Sequence, residues 1–193
     1  MKRADFVFIN PEAKKLIPGL DWGDASAKND WFNQGNLLVE KGIKAVFEDQ
    51  RPTFRGQGYD INSIVTTVVQ ACTKHMAKIG ELYIIGHGNA TQGMRIHTNW
   101  LSHEGVMPGG EFRSAFMKLN PYADKESQIY LHACGAGSYK DGKLLEEIAR
   151  LTGASVSGPR FITTPFNVLG HRLIDKIQRA PSSKHFNWSN IPK

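Results

Sequence analysis

Hydrophobic residues along this chain form short blocks that predict strands, separated by a stretch that predicts a helix. Residues 4–9, 82–85 and 129–131 are short apolar runs rich in aromatic and β-branched side chains, as in buried strands. Across residues 60–79 the apolar positions instead recur at spacings of three and four, which predicts an amphipathic helix that ends at Gly80. The pattern therefore alternates between strand and helix.

The same patterns predict further elements and the fold class. We expect strands at 43–48 and 154–157, helices at 26–42, 110–119, 141–151 and 169–177, and a small hairpin within 94–101. Strands that alternate with helices in this way are typical of parallel strands joined by right-handed crossovers. We therefore predict an α/β fold, and a single domain over residues 1–193 because no repeat interrupts the pattern.

Composition and charge narrow the class of protein. The chain is 40% hydrophobic and 22% charged, which is typical of a folded globular protein rather than a disordered one. No run approaches the roughly 18 apolar residues of a membrane span, and the N-terminal apolar run is too short for a signal peptide. We therefore expect a cytoplasmic protein, or one exported as an effector without an N-terminal signal. The net charge is +6, but the basic residues are spread along the chain, so nucleic-acid binding is not expected.

Two of the predicted strands lead directly to reactive side chains. His87 follows the strand at 82–85, and Cys134 follows the strand at 129–131. Ligands bind beyond the carboxyl ends of parallel strands, so both side chains would share one edge of the sheet if these strands are neighbours. A nearby imidazole and a following helix N-terminus both favour the nucleophilic thiolate. The sequence thus predicts a cysteine–histidine pair; the alternative is a buried cysteine and a solvated histidine without a joint role.

The residues around this pair carry a resemblance to a known family. The chain reads Leu-Tyr-Ile-Ile-Gly-His-Gly over residues 82–88 and Ile-Tyr-Leu-His-Ala-Cys-Gly over residues 129–135. A hydrophobic block ending in His-Gly, a spacer, and a second block ending in Ala-Cys resemble the motifs of the caspase-like (clan CD) cysteine peptidases. The resemblance is closest to bacterial caspase-like domains and covers residues 81–158.

This resemblance implies a fold, an activity and a site. The fold would be a three-layer caspase-like domain, with a mostly parallel central sheet and helices on both faces. Cys134 would be the nucleophile that forms a thioester, His87 the general acid and base, and the N–H groups of Gly88 and Cys134 the oxyanion hole. The partner would be a protein or peptide substrate, with no cofactor, no metal and no membrane involved.

The resemblance also leaves two open questions about activity. The family includes bacterial effectors and the self-cleaving domains of toxins, some of which are switched on by an anionic activator; the charge of +6 permits such an activator here. The main alternative to a peptidase is a catalytically silent caspase-like adaptor or peptide-binding module. The sequence counts against this alternative only because the pair and both following glycines, Gly88 and Gly135, are present.

Two other kinds of site are weaker alternatives. Residues 137–143 fit the first seven positions of a phosphate-binding loop, but Leu144 stands where a magnesium-binding Ser or Thr is needed. Zinc would require ligands at characteristic spacings, which the candidate residues lack. Those candidates are His87, His97, His103, His132 and Cys134. We expect His132 to point away from the reactive edge or to pack in the sheet.

The cleavage specificity stays open at the level of sequence. Candidates that would favour a basic residue before the cleaved bond are Asp21, Asp24 and Asp60. Candidates that would favour an acidic residue are Arg51, Arg55 and Arg160. Nothing in the sequence decides between the two sets.

Overall fold

A computed structural model describes residues 2–9, 53–57, 60–96, 98–160, 168–169, 172–173 and 176–180. The helix predicted at 26–42 and the strand predicted at 43–48 lie outside these residues. Within the described part of the chain, no helix is long and apolar enough to cross a membrane.

The described residues form strands, α-helices and two short 3₁₀ turns. The strands are β1 Lys2–Ile9, β2 Thr53–Gln57, β3 Ala77–Ile85, β4 His87–Asn89, β5 Gly93–Ile96, β6 Asn99–Leu101, β7 Gln128–His132, β8 Ser155–Pro159, β9 Val168–Leu169, β10 Arg172–Leu173 and β11 Lys176–Arg179. The helices are α1 Ile61–His75, α2 His103–Val106, α3 Arg113–Met117 and α4 Lys143–Thr152. The 3₁₀ turns are Asn120–Tyr122 and Tyr139–Gly142.

The largest sheet that these elements form has six strands in the order β11-β8-β7-β3-β1-β2. Five of them run parallel, and β11 pairs antiparallel with β8 at one end of the order. Strands β4, β5 and β6 form a small antiparallel sheet, and β9 and β10 pair with each other. The predicted α/β fold with a mostly parallel sheet is confirmed, and β5 and β6 form the predicted hairpin.

One face of the large sheet, called here the first face, carries the apolar core. Helix α1 begins after Asp60, whose carboxylate accepts a hydrogen bond of 2.8 Å from the Ser63 N–H and so caps the first turn. The helix buries Ile61, Ile64, Val65, Val68 and Cys72. These side chains form one cluster with buried residues of α3 and α4 and with Phe6, Phe8, Leu82, Ile84, Ile129 and Leu131 of the sheet. Helices therefore pack against the first face.

Helix α1 ends earlier than its apolar spacing predicts. The backbone at Met76 is left-handed, with φ 49°, and its N–H donates to the carbonyl groups of Cys72 and Thr73. Strand β3 starts at once, because Ala77 and Ile79 pair with β1 and are buried in the sheet. Pairing with β1 thus overrides a helical spacing that continues to residue 79.

Three further predicted helices differ from the structure. The helix predicted at 169–177 is wrong, since β9 and β10 pair with each other in that segment and Lys176 begins β11, which pairs with β8 and continues the sheet. The helix predicted at 110–119 is shorter, because a turn in which the Gly110 N–H donates to the Met107 carbonyl precedes α3. Helix α4 starts two residues late, since Lys140 and Asp141 both have positive φ.

The opposite side of the central strands, called here the second face, is buried but polar and aromatic. It carries Asp5, Glu81, Tyr83, Tyr130, His132 and Ser157. Gly80 and Glu81 together oppose Asp5 in a bulge, and the Glu81 N–H donates to the Asp5 carboxylate at 2.7 Å. The Tyr83 hydroxyl donates to Glu81 at 2.5 Å, and burial raises the pKa of Tyr83 far above its usual value. These hydrogen bonds make the burial of Asp5, Glu81 and Tyr83 tolerable.

Candidate active site

The register of the two central strands brings His87 and Cys134 to the same place. Strands β3 and β7 are parallel neighbours, and Ile85 at the end of β3 lies opposite His132 at the end of β7. Pairing continues past the strand ends, since the Gly86 N–H donates to the His132 carbonyl at 3.1 Å. His87 follows Gly86 at this end of β3, and Cys134 comes two residues after His132. Both predicted residues therefore follow neighbouring strands at the carboxyl edge of the sheet, and both are half-buried.

His87 begins a second hairpin at this edge, formed by β4 and β5 and called here the hairpin. It is the first residue of β4, which pairs with β5 so that His87 lies opposite Arg95 and Gly88 opposite Met94. Antiparallel pairing with β5, which itself pairs with β6, gives His87 a fixed backbone although the parallel sheet has ended. The small sheet thus fixes the backbone that carries the imidazole.

Glycines bring the hairpin and the cysteine segment into direct contact. A Cβ added to Gly88 would lie 2.9 Å from the Ala133 Cβ and 3.0 Å from the Cys134 carbonyl oxygen. A Cβ added to Gly135, whose φ is +65°, would lie 2.7 Å from the Ala90 nitrogen. Only residues without a side chain permit this approach. Both glycines that accompany the predicted pair therefore lie where the two segments meet.

Cys134 lies in a compact turn, residues 133–139, called here the cysteine turn. Its backbone closes on itself, since the Ala136 N–H donates to the Ala133 carbonyl and the Tyr139 N–H donates to the Gly135 carbonyl, both at 3.0 Å. The Gly137 N–H donates to the Pro159 carbonyl at 2.8 Å and so fixes one side of the turn to the end of β8. The thiol is therefore carried by a rigid backbone unit.

The other side of the cysteine turn contacts the hairpin and α2 through Tyr139. The tyrosine ring is buried, and its Cδ1 atom lies 3.5 Å from the position of a Cβ on Gly93, at the start of β5. Its hydroxyl donates to Glu104 of α2 at 3.0 Å, and the Lys140 ammonium donates to the same carboxylate. The hydrogen bond from Lys140 lowers the pKa of Glu104 to about 2. The sequence analysis missed these contacts, because Glu104 and Tyr139 carry no recognisable motif.

A left-handed segment separates Cys134 from helix α4. Lys140, Asp141 and Gly142 have φ values of 46°, 56° and 79°. The open side of Gly142 is filled by Arg179 of β11, whose guanidinium would lie 2.8 Å from a Cβ there and donates to the Asp141 carbonyl. The helix N-terminus that the sequence analysis placed near the thiol therefore begins only at Lys143, beyond this segment.

A thiol and an imidazole at the open edge of a parallel sheet can carry out nucleophilic catalysis. Comparison with protein-family models, curated proteins and solved structures gave no match. The backbone of Gly88 lies next to that of Cys134. A proposed function must therefore account for Cys134 and His87 at this edge of the sheet.

The loop at 137–143 does not have the geometry of a phosphate cradle. Its N–H groups donate in several directions to carbonyls of the chain, as from Gly137 to Pro159 and from Asp141 to Ser138. A phosphate-binding loop instead directs successive N–H groups at one point. Nucleotide binding is therefore not favoured here.

The histidines considered as zinc ligands are dispersed in the structure. His132 packs in the second face, with its ring edge-on to Tyr83 and Tyr130 at 5.6 and 6.2 Å between centroids. His103 is in α2 and His97 lies outside the described residues. Among the residues that the structure describes, no group of three or more His, Cys, Asp or Glu side chains could hold a metal ion.

Two of the residues considered for specificity can be placed. Asp60 caps α1, and its side chain accepts a hydrogen bond from the Ser63 N–H. Arg160 directly follows β8, and its carbonyl accepts a hydrogen bond of 2.6 Å from Ser138 in the cysteine turn. Asp21, Asp24, Arg51 and the side chain of Arg55 lie outside the described residues. Arg160 is thus the placed candidate that lies beside the cysteine turn.

Proposed function

We propose that this chain is a caspase-like cysteine endopeptidase with Cys134 as nucleophile and His87 as general acid and base. The observation that carries the proposal is the pairing of β3 with β7, parallel neighbours whose carboxyl ends lead to His87 and to Cys134. Close contact at Gly88 adds to it, because the absence of a side chain there lets the hairpin that begins at His87 lie against the backbone of Cys134. Both residues are half-buried, so a substrate can reach them from solvent.

The reaction would be acyl transfer through a thioester. His87 takes the proton of the thiol, and Cys134 Sγ bonds to the carbonyl carbon of the scissile peptide while the carbonyl oxygen becomes an oxyanion. The N–H groups of Gly88 and Cys134 donate to that oxygen. Collapse breaks the C–N bond, and His87 protonates the leaving amine. Water then gives a proton to His87, attacks the thioester and releases the new carboxyl group and Cys134.

We propose a three-layer arrangement, with helices on both faces of the sheet. Burial of the second face supports this, since Tyr83 is 0% and Tyr130 and His132 are each 4% exposed. The apolar cluster of α1, α3 and α4 involves the first face instead, so a further layer is needed to bury the second.

The proposed substrate is a protein or peptide, acted on in a cytoplasm or after export as a bacterial effector. An anionic activator is compatible with the charge of +6. A single domain over residues 1–193 would suffice, since the pair, the hairpin and the cysteine turn all lie within residues 77–159.

Alkylation with iodoacetamide tests the proposed pair. The labelling rates of Cys134 and Cys72 in the wild type are measured by peptide mass between about pH 5 and pH 9. This pH range spans the ordinary thiol pKa of about 8.5. An imidazole-paired thiolate labels well below that pKa. Cys72 serves as an internal reference, because it is buried in α1 and burial raises its pKa to about 11.

Two variants identify the cause of fast labelling. His87→Ala should abolish the labelling of Cys134 at low pH, whereas His75→Ala, at the exposed end of α1, should leave it unchanged. If wild-type Cys134 labels no faster than an ordinary thiol, the peptidase proposal is wrong for the isolated chain. The result would then favour the silent adaptor or peptide-binding module.

A further inference from the structure

Tyr139 joins the two halves of the proposed site. It is the last residue of the cysteine turn, and its N–H donates to Gly135 within that turn. Its ring lies over the open side of Gly93 in the hairpin that begins at His87, 3.5 Å from the position of a Cβ there, and its hydroxyl donates to Glu104 of α2. One residue of the element that carries the thiol thus faces the hairpin that carries the imidazole and bonds to the helix that follows the hairpin.

We propose that Tyr139 is a positioning residue, whose hydrogen bond to Glu104 holds Cys134 at the distance from His87 that proton transfer needs. This inference rests on the proposed peptidase function. Neither Tyr139 nor Glu104 is assigned contact with the substrate. Their role is to fix the cysteine turn against the hairpin, since a proton moves efficiently only between groups within hydrogen-bond reach.

The acceptor of this hydrogen bond is itself held in place. Glu104 lies in the first turn of α2, which Ser102 caps by accepting a hydrogen bond of 3.2 Å from the Gly105 N–H. A Cβ on Gly105 would lie 2.8 Å from the Phe112 ring, so α2 packs closely on the residue that precedes α3. Because α2 is anchored in this way, a bond to Glu104 restrains the cysteine turn.

Of the two donors to Glu104, the tyrosine is the one expected to restrain the turn. The Lys140 side chain is 46% and the Glu104 side chain 60% exposed, and ion pairs in water at such exposure contribute little. Tyr139 is 3% exposed, so its ring is enclosed by the protein, and it lies over the open side of Gly93. Its hydroxyl can therefore hold one orientation of the turn.

The variant Tyr139→Phe removes the hydroxyl and keeps the ring. The matched control is Tyr122→Phe, which removes a hydroxyl that shares a hydrogen bond of 2.7 Å with Thr73 near the end of α1. Iodoacetamide labelling of Cys134 is followed at several pH values, together with amide hydrogen exchange of residues 87–96 and 133–138. Thermal unfolding shows whether both variants remain folded.

In Tyr139→Phe we expect Cys134 to label at least about fivefold more slowly near pH 6, because a displacement of a reacting group by about 1 Å costs up to about 100-fold. Exchange in the cysteine turn and the hairpin should become faster. The control Tyr122→Phe should change neither quantity. Glu104→Ala should slow the labelling of Cys134 as much as Tyr139→Phe does. Glu104→Gln should slow it less, because its amide oxygen still accepts a hydrogen bond. The double variant of Tyr139→Phe with Glu104→Ala should label no more slowly than either single variant.

The readouts separate failure of this inference from failure of the peptidase proposal. If wild-type Cys134 labels as an ordinary thiol, the peptidase proposal fails, and exchange alone then decides whether Tyr139 holds the turn against the hairpin. Equal exchange in Tyr139→Phe and Tyr122→Phe overturns the inference in either case. If wild-type Cys134 is activated and Tyr139→Phe labels it at the wild-type rate, the hydroxyl is only structural and the inference is also overturned.

Discussion

Gly88 lies so close to Cys134 that a Cβ added to it would stand 3.0 Å from the Cys134 carbonyl oxygen. The same Cβ would lie 2.7 Å from the Gly93 carbonyl oxygen, so the glycine is enclosed from both the cysteine turn and its own hairpin. Backbone atoms on both sides leave little room for relaxation. The contact between the two halves of the proposed site therefore depends on the absence of a side chain here, as it does at Gly135.

Gly88→Ala should accordingly separate His87 from Cys134. We expect the free energy of unfolding to fall by about 1–3 kcal/mol, as for other overpacked sites, and labelling of Cys134 at low pH to be lost. Urea unfolding and iodoacetamide labelling measure the two effects. Gly109→Ala is the control, because nothing lies within 4 Å of its Cβ position and only the cost of its positive φ, +85°, remains. Unchanged stability and labelling in Gly88→Ala would contradict the close contact.

The elements that converge on the site were predictable from the sequence to different degrees. Continuous apolar runs before His87 and Cys134 predicted buried parallel strands, because buried strands in such a sheet lack polar alternation. That the two strands are neighbours is seen only in the structure. Tyr139 and Glu104 were not predictable as partners, since their contact arises from the packing of α2 against the cysteine turn. Strand β11 was mistaken for a helix, because pairing with β8 is a tertiary interaction that no local periodicity records.

The hydroxyl of Tyr83 is expected to stabilise the second face of the sheet. Tyr83→Phe leaves the Glu81 carboxylate without a hydrogen bond that the structure gives at 2.5 Å, inside a buried region. A lost hydrogen bond to a charged or buried group costs about 1–3 kcal/mol. Urea unfolding should show a loss in that range, whereas Tyr122→Phe, at a half-buried tyrosine, should lose less. Equal losses in the two variants would mean that Glu81 does not depend on Tyr83.

Glu147 is expected to stabilise the folded protein at neutral pH and to lose this contribution in acid. A hydrogen bond from Arg150, and another from Arg113, lower the pKa of Glu147 in the folded protein. A carboxyl whose folded pKa is lowered contributes stability above its unfolded pKa and loses that contribution as pH falls through the folded pKa. Glu147→Gln should therefore be less stable than the wild type by about 1 kcal/mol at neutral pH, and the difference should shrink below about pH 4.5.

Urea unfolding of both proteins between about pH 7 and pH 3 measures this difference, since the ordinary carboxyl pKa lies inside that interval. Glu111→Gln is the control, because Glu111 is an exposed carboxylate in the turn before α3. It should show the wild-type pH dependence. If the difference in free energy of unfolding between Glu147→Gln and the wild type is constant across the whole interval, protonation of Glu147 does not weaken the folded protein, and the prediction is wrong.

Met76 offers a test of why α1 ends where it does. Its backbone is left-handed at φ 49° and its side chain is 84% exposed, so it has the strain of this conformation without a compensating burial. Glycine adopts that conformation at no steric cost and is the residue most often found there. Met76→Gly should therefore raise the free energy of unfolding by about 0.5–1 kcal/mol, in line with the preference for glycine at such sites.

The same substitution inside the helix should have the opposite sign. Lys74→Gly lies in the last turn of α1, where glycine costs up to about 1 kcal/mol relative to a good helix former. Thermal and urea unfolding of the two variants compare replacement by glycine at two positions, two residues apart, with opposite backbone handedness. If Met76→Gly destabilises the protein as much as Lys74→Gly does, α1 continues through residue 76 in solution, and strand β3 begins later than Ala77.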